Sequence, residues 1–322
     1  MKFLINGQWS DETGSHPRLS RQGVVHAGGF RHRITHDGSS GFPAEPRRYH
    51  LYVSHACPFS HRVTMVRALM GLDQIVDLSL LHPRWDTSAG WMFGETAMST
   101  ADQGGCGFSS LHEAYLASDP TYTGRVSVPV LWDKVTRTIV NNESLDIAQM
   151  LDAAFTGCGA ASRIDLYPKT LRPAIDALNA RTASALANGV YDIAGARTQT
   201  EYDLATAALF DFLDELERQL SDGRSYLLGE AVTLADVLAF TPLVRFDPVY
   251  RPLFRIGRKR LGDFPQLTAF VRRLFGIPEI VPTVRFDQIL MHYYDSDWAI
   301  TPHRGIVPNL SAMEWYSPPG QQ

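Results

Sequence analysis

Apolar residues first fall into a readable period at Arg48. Residues 49–54 (YHLYVS) are aromatic and β-branched, the composition of a strand. The run stops at Ala56-Cys57-Pro58. Beyond it Phe59, Val63, Val66 and Leu69 lie four, three and three apart, which is helix spacing. Pro58 suits a first helical turn, where a missing N–H costs nothing, and Gly71 suits a helix end. Residues 75–81 (IVDLSLL) read as a second strand. Strand, helix and strand of these lengths make a βαβ unit, so the two strands should run parallel. Residues 82–125 carry no period. Residues 126–132 (VSVPVLW) predict a third strand interrupted by Pro129, a sign of an edge, a bulge or a cis bond. A turn at 133–137 leads to a short fourth strand at 138–141, and Asn142-Glu143-Ser144 opens a helix reaching Phe155.

After Tyr167-Pro168 the pattern is helical almost throughout. Residues 171–187, 198–220, 233–244 and 265–275 repeat apolar positions three and four apart. Thr233-Leu234-Ala235-Asp236 resembles a capping box with Asp in the place of Glu or Gln. No repeat of 20 to 50 residues is visible. The N-terminal stretch differs: residues 11–46 are rich in Gly, Ser, His and Arg and poor in large apolar residues, an extension without its own core that wraps over the domain after it. Its histidines, His16, His26, His32 and His36, have no metal-ligand spacing and are expected to be solvated. The division that follows is 1–46 extension, 47–157 α/β domain, 165–310 all-helical domain and 311–322 tail.

Composition narrows the class. The chain has 322 residues, 44% hydrophobic and 20% charged, enough apolar mass for two ordinary cores. With 30 Lys+Arg against 34 Asp+Glu, the net charge of −4 argues against a nucleic-acid coat. No apolar run approaches a membrane span, and the start is too polar for a signal-peptide core, so the expectation is a cytoplasmic protein with no membrane partner. Three cysteines are too few for a disulfide scaffold, and no two lie close enough to form a zinc site.

Cys57 stands where the first strand becomes the first helix. Unpaired N–H groups and the positive dipole end of a first turn favour a thiolate, the reactive form of cysteine. His61 and Arg62 follow at about one turn and could add positive potential. The motif is Cys57-Pro58-Phe59-Ser60, so no second thiol closes a disulfide at this turn. A single thiol can still attack a sulfur and be released by an external thiol. Cys106 and Cys158 read as incidental. For a peptide-like thiol substrate, Val128 before Pro129 offers a strand edge. Glu143-Ser144 at a helix start can accept an ammonium and donate to a carboxylate. Arg125 can pair with a second carboxylate, and Trp91 can supply a wall. Taken singly, Glu143-Ser144 read equally well as a helix cap and Arg125 as a solvated charge. Arg245 and Asp247 fit a structural ion pair or loop clamp better than catalysis.

The order of strands and helices, with Cys57 at the first turn and Pro129 at the third strand, is thioredoxin-like, and the helical second half makes the whole similar to a glutathione transferase. The motifs RYHLYVSHACPFSHR (48–62), GWMF (90–93), GRVSVPVLWDK (124–134), IVNNES (139–144), LVRFDPVY (243–250) and HYY (292–294) resemble the xi-class glutathione transferases, the glutathionyl-hydroquinone reductases, over residues 42–308. That family usually reads Cys-Pro-Trp-Ala-His-Arg; Phe59-Ser60 replaces Trp-Ala here, which leaves the nucleophile and bears on substrate preference. The resemblance implies a thioredoxin-like α/β domain followed by an all-α domain. It implies Cys57 as nucleophile, and Trp91, Arg125, Val128, Pro129, Glu143 and Ser144 as the glutathione site. Tyr191 and Tyr293 are implied as phenols from the helical domain that meet the quinol between the domains. Asn188-Gly189 beside Tyr191 predicts a turn. Glutathione and glutathionyl-quinols are then the small-molecule partners. Glutathione would be a co-substrate beside no permanent cofactor and no metal, and the assembly a homodimer. Three alternatives stay open: an omega-like thioltransferase or dehydroascorbate reductase, a non-catalytic binding module, and a conjugating transferase using Ser54 or Ser60.

Overall fold

In the computed structural model, residues 3–10, 29–85, 88–158, 164–296 and 304–308 are described. His16, His26, residues 11–28 of the N-terminal extension and the tail after residue 310 lie outside them. The chain separates into two compact units, Met1–Arg163 with Arg285–Asp297, and Ile164–Val284 with Trp298–Gln322.

The first unit is built on a mixed sheet. Strands β3 (Tyr49–Val53), β4 (Asp77–Leu80), β5 (Val130–Asp133) and β6 (Thr138–Asn141) lie in the order β4-β3-β5-β6. β3 and β4 run parallel, as the βαβ reading requires, while β5 is antiparallel to both β3 and β6. The five residues of β3 are all buried, which is why they read as a continuous apolar run and not an alternation. Helix α1 (Pro58–Leu69) follows β3 with Pro58 in its first turn. The third strand begins only at Val130, because Pro129 carries no N–H for the ladder; the Val128–Pro129 bond is cis. Two pieces were not expected. A hairpin, β1 (Phe3–Ile5) and β2 (Gln8–Ser10), hangs from the unit by reciprocal backbone bonds between Leu4 and Gly124. Helix α2 (Leu111–Ser118) lies inside the segment read as irregular, held at its start by Ser110 and Glu113 in a capping box.

The N-terminal extension does wrap this unit where it is described. His32 N donates to Val140 O at 3.0 Å and Asn142 N to Phe30 O at 3.3 Å, so residues 30–32 cover the outer edge of β6. His32 and His36 are exposed, as expected of solvated histidines. Helix α3 (Ser144–Ala153) then packs against α1.

One buried titratable group inside the sheet has a measurable consequence. His50 on β3 is fully buried, with Nε2 2.8 Å from Ser79 Oγ on β4. Burial, helped by Lys134, pushes its imidazole down to about 4. Between an ordinary histidine value and that one, the unfolded chain binds a proton and the native chain does not. The contribution of His50 is therefore complete above about pH 6.5 and drains away as pH falls towards 4, by roughly 3 kcal/mol in all. Urea unfolding of wild type and His50→Gln at pH 7 and pH 4.5 should show a markedly smaller acid loss in the variant. Parallel losses would mean the ring is not the titrating group.

The second unit is helical: α4 (Arg172–Arg181), a π-helical stretch (Thr182–Ala187), α5 (Gly189–Gly195), α6 (Gln199–Leu220), α7 (Leu234–Arg245), a second π-helical stretch (Phe246–Tyr250), the short α8 (Arg251–Leu253) and α9 (Pro265–Phe275). α7 starts at the predicted Thr233 cap, and α6 starts at a Thr198–Glu201 capping box that the sequence reading did not single out. Asp236 closes the second cap, accepting Leu227 N, Thr233 N and Thr233 Oγ1 at 2.8 Å each. Burial pushes its carboxyl up to about 6, yet all three donors still aim at it. Asp236→Ala strands them in the core and should cost about 2–3 kcal/mol in a denaturation midpoint. A loss below about 0.5 kcal/mol would show the cap to be dispensable. Asp247 clamps a loop by accepting Leu261 N at 2.9 Å, while Arg245 Nη1 turns to Thr241 O at 2.8 Å, so the two serve separate contacts.

The last helix, α10 (Phe286–Asp295), belongs with the first unit and not with the helical one. No helix among the described residues is long and apolar enough to cross a membrane.

Candidate functional site

Cys57 is the N-cap of α1, with extended backbone (φ −76°, ψ 125°) handing the chain from β3 to the helix. It is 8% exposed. Its carbonyl accepts the first intrahelical bond, from His61 N at 2.9 Å. The thiol donates to Val128 O at 3.7 Å, directly before the cis proline. Sequence reasoning aimed the free N–H groups of the first turn at this sulfur; instead the helix has no side-chain cap bond from Cys57. Ser60 is fully buried, and its Oγ accepts Ser54 N at 3.3 Å, so it closes the turn. Cys57, Val128 and Trp91 share one core cluster.

The helix start at Glu143 is the second part. Glu143 is the N-cap of α3, and its Oε1 accepts Leu145 N at 3.3 Å and Ser144 Oγ at 3.2 Å. Ser144 Oγ in turn receives Arg62 Nη1 at 3.2 Å. Arg62 is buried, 4% exposed, and also lies over the Phe59 ring at 4.8 Å. Sequence analysis had Arg62 beside the thiol; its guanidinium goes to Ser144, bringing a positive charge to the start of α3. The signal was present in the five-residue step from Cys57 to Arg62, which turns Arg62 to another side of α1 than Cys57.

The third part is aromatic. Trp91, 8% exposed, stacks on His292 of α10 with centroids 5.2 Å apart and planes at 14°. His292 is fixed by donation from Nδ1 to Pro83 O at 2.6 Å. Trp85 N donates to Ser296 Oγ at 2.8 Å, and Arg84 pairs with Asp295 at 3.6 Å, so the end of α10 is pinned along the 83–85 loop. Tyr293, 1% exposed, meets His292 edge to face at 5.0 Å. This corrects the expectation that Tyr293 comes from the helical domain: it rides on the unit that holds Cys57. Tyr294 beside it is buried, and burial pushes its phenol above the usual range.

Arg125 is half-buried on the same unit, three residues before Val128; its carbonyl accepts the Tyr122 hydroxyl at 3.1 Å. Tyr191 is elsewhere, on α5 of the helical unit, half-buried against Tyr250 and Phe254 with centroids 5.8 and 5.5 Å away. The turn expected at Asn188-Gly189 is a single residue: Asn188 joins the π-helical stretch to α5, its carbonyl accepting Tyr191 N at 2.8 Å. The first unit thus gathers Cys57, Trp91, Arg125, Val128, Pro129, Glu143, Ser144 and Tyr293, and Tyr191 stands on the second.

Comparisons with known proteins show the family. The family models described as the N-terminal and the C-terminal domain of glutathione S-transferase match residues 56–154 and 199–273. The glutathionyl-hydroquinone reductase PcpF of Sphingobium chlorophenolicum is 40% identical over 96% of this chain and 96% of its own. The glutathione-bound structure of YqjG, a glutathione transferase homologue from Escherichia coli K-12, superposes with a TM-score of 0.85 at 39% identity, covering 95% of this chain and 94% of that one. A xi-class glutathione transferase from Natrialba magadii gives a TM-score of 0.90 at 36% identity, covering 99% and 96%.

Proposed function

The chain belongs to the xi class of the glutathione transferases, the glutathionyl-hydroquinone reductases, and from that premise we propose how its residues divide the reaction. Cys57, as thiolate, attacks the glutathionyl sulfur of a glutathionyl-hydroquinone. A Cys57–glutathione disulfide bond forms. The carbon–sulfur bond breaks, its electron pair goes to the quinol ring carbon, and that carbon takes a proton. A second glutathione, as thiolate, attacks the glutathione sulfur of the mixed disulfide and regenerates Cys57. The sum converts one glutathionyl-hydroquinone and one glutathione into hydroquinone and oxidised glutathione.

The carrying observation is the Cys57 thiol at the start of α1, 3.7 Å from the carbonyl before a cis proline. When Cys57 loses its proton it gives up that bond. The Val128 carbonyl and strand edge are then open to the peptide groups of glutathione, as in strand addition. Glu143 takes the ammonium. Ser144 and the start of α3, with Arg62 behind them, take the neighbouring carboxylate. Arg125 is assigned to the other carboxylate and Trp91 to the wall of the pocket. Glutathione is a co-substrate here, with no permanent cofactor in the scheme. Tyr191 and Tyr293 are assigned to the departing quinol, whose oxygens a phenol can hydrogen-bond and to which it can pass a proton. By the same family membership the enzyme is taken as a cytoplasmic homodimer, which light scattering on the purified chain would read.

The test is the intact mass of the protein after brief incubation with glutathionyl-menadiol. A single glutathione adduct that maps to Cys57 and disappears on adding glutathione is expected. An adduct on Cys106 or Cys158, or turnover with no adduct trapped at limiting glutathione, would overturn the scheme.

A further inference from the structure

The Val128 edge and the Glu143–Ser144 helix start are separate stretches of chain, yet one buried hydroxyl touches the neighbours of both. Tyr115 on α2 is fully buried. Its hydroxyl donates to Ser127 O at 2.9 Å and accepts Ser127 N at 3.2 Å, gripping the residue before Val128 by both backbone groups. The same oxygen accepts Asn142 Nδ2 at 3.2 Å, and Asn142 directly precedes Glu143. Asn142 is held from its other side by the N-terminal segment, through Arg31 Nη1 to Asn142 Oδ1 at 2.6 Å and Asn142 N to Phe30 O at 3.3 Å. The Phe30 ring stacks on Tyr122 at 5.8 Å and meets Tyr115 edge-on at 5.9 Å, so it also braces the two aromatic rings behind the 125–128 stretch.

We propose that Tyr115 is a positioning residue for glutathione: its hydroxyl, with Asn142 and the Phe30-Arg31 segment, sets the distance between the strand edge that takes the cysteinyl part and the helix start that takes the ammonium. The inference rests on the glutathione site proposed above and adds to it a residue outside the site and a task for the N-terminal extension. A hydroxyl that bonds both walls fixes their spacing in a way two independent walls cannot. The Tyr115 side chain is buried and its bond from Asn142 lies in the core, so water does not readily replace that bond when one partner is removed.

Glutathione binding to the full chain, read by calorimetry, and KM for glutathione in turnover test it. Tyr115→Phe keeps the ring and removes only the hydroxyl, and it should weaken glutathione binding about fivefold to tenfold. The loss should appear in KM for glutathione and not in kcat. In an Asn142→Ala background the same change should add less than in wild type, because the link between the two walls is already broken and only the Ser127 bonds remain to be lost. Arg31→Ala, at an exposed position that cannot unfold the core, should weaken binding about twofold through Asn142. A merely structural Tyr115 would lower the melting temperature, leave glutathione affinity as in wild type, and act additively with Asn142→Ala; that pattern overturns the proposal. Glu143→Gln separates the two levels. If it weakens glutathione while Tyr115→Phe and Arg31→Ala do not, the site stands and the coupling falls. If Glu143→Gln also leaves affinity unchanged, the site assignment falls with it.

Discussion

Cys57→Ser should remove glutathionyl-hydroquinone reduction, by roughly 10³-fold or more, because an alcohol neither ionises near neutral pH nor forms the mixed disulfide. What makes the variant informative is that the fold has no reason to suffer. Cys57 is an N-cap with extended backbone, and serine is among the residues preferred at that position, so the start of α1 is strengthened if anything. Activity should vanish while the melting temperature stays level or rises. Cys106 and Cys158 are both half-buried, the first beside Arg137 Nη2 at 3.6 Å and the second donating to Ala44 O at 3.4 Å. Serine at either position should leave turnover near wild type. Substantial reductase turnover in purified Cys57→Ser, or its loss in Cys106→Ser, would remove Cys57 from its role.

The second large effect concerns the phenols, and it separates a quinol reductase from a general thioltransferase. Cleaving an aryl thioether leaves electron density on the ring that needs a proton; cleaving a disulfide leaves a stable thiolate. A general acid typically supplies ~10²–10⁴-fold. Tyr191→Phe and Tyr293→Phe should therefore depress kcat on a glutathionyl-hydroquinone by a factor approaching that range and barely touch kcat on a small mixed disulfide. The rings stay, and with them the packing of Tyr191 on Tyr250 and Phe254 and of Tyr293 on His292. Equal losses on both substrates, or none on either, would make these tyrosines packing residues and leave Tyr250 and Tyr294 as the candidates to examine.

How far the sequence alone could be read follows the range of each interaction. The β3–α1 turn was legible because every determinant is local: a buried β-branched run, a cysteine, a proline and a helical period within about twenty residues. The capping box of α7 was legible for the same reason. Helix α2 was missed although Leu111, Ala114 and Tyr115 have helical spacing and Ser110 and Glu113 form its cap; eight residues are too few to stand out from an irregular stretch. The strands of the N-terminal hairpin are three residues each and exist through their contact with Gly124. Arg62 could be placed on α1, but not against Ser144, eighty-two residues away. Tyr115 could not be singled out at all, because its importance lies in three partners distant in the chain. At Tyr191 the local turn signal of Asn188-Gly189 marked the one-residue break at Asn188, but not the helices on both sides of it.

The path of the chain has a consequence for how this protein is made. The unit that carries Cys57 takes its last helix from residues 286–295, after α4 to α9 of the helical unit have been spelled out. A growing chain therefore presents the ribosome exit with Cys57 and Trp91 while the His292 ring that stacks on Trp91, and Tyr293 beside it, have not been synthesised. At ~5–20 residues per second, more than two hundred residues separate the emergence of Cys57 from that of α10 by roughly ten seconds or longer. The first unit cannot be completed vectorially. Cys57 and Trp91 are in place long before α10, and a chain ending before Arg285 would carry both without the His292 ring that stacks on Trp91.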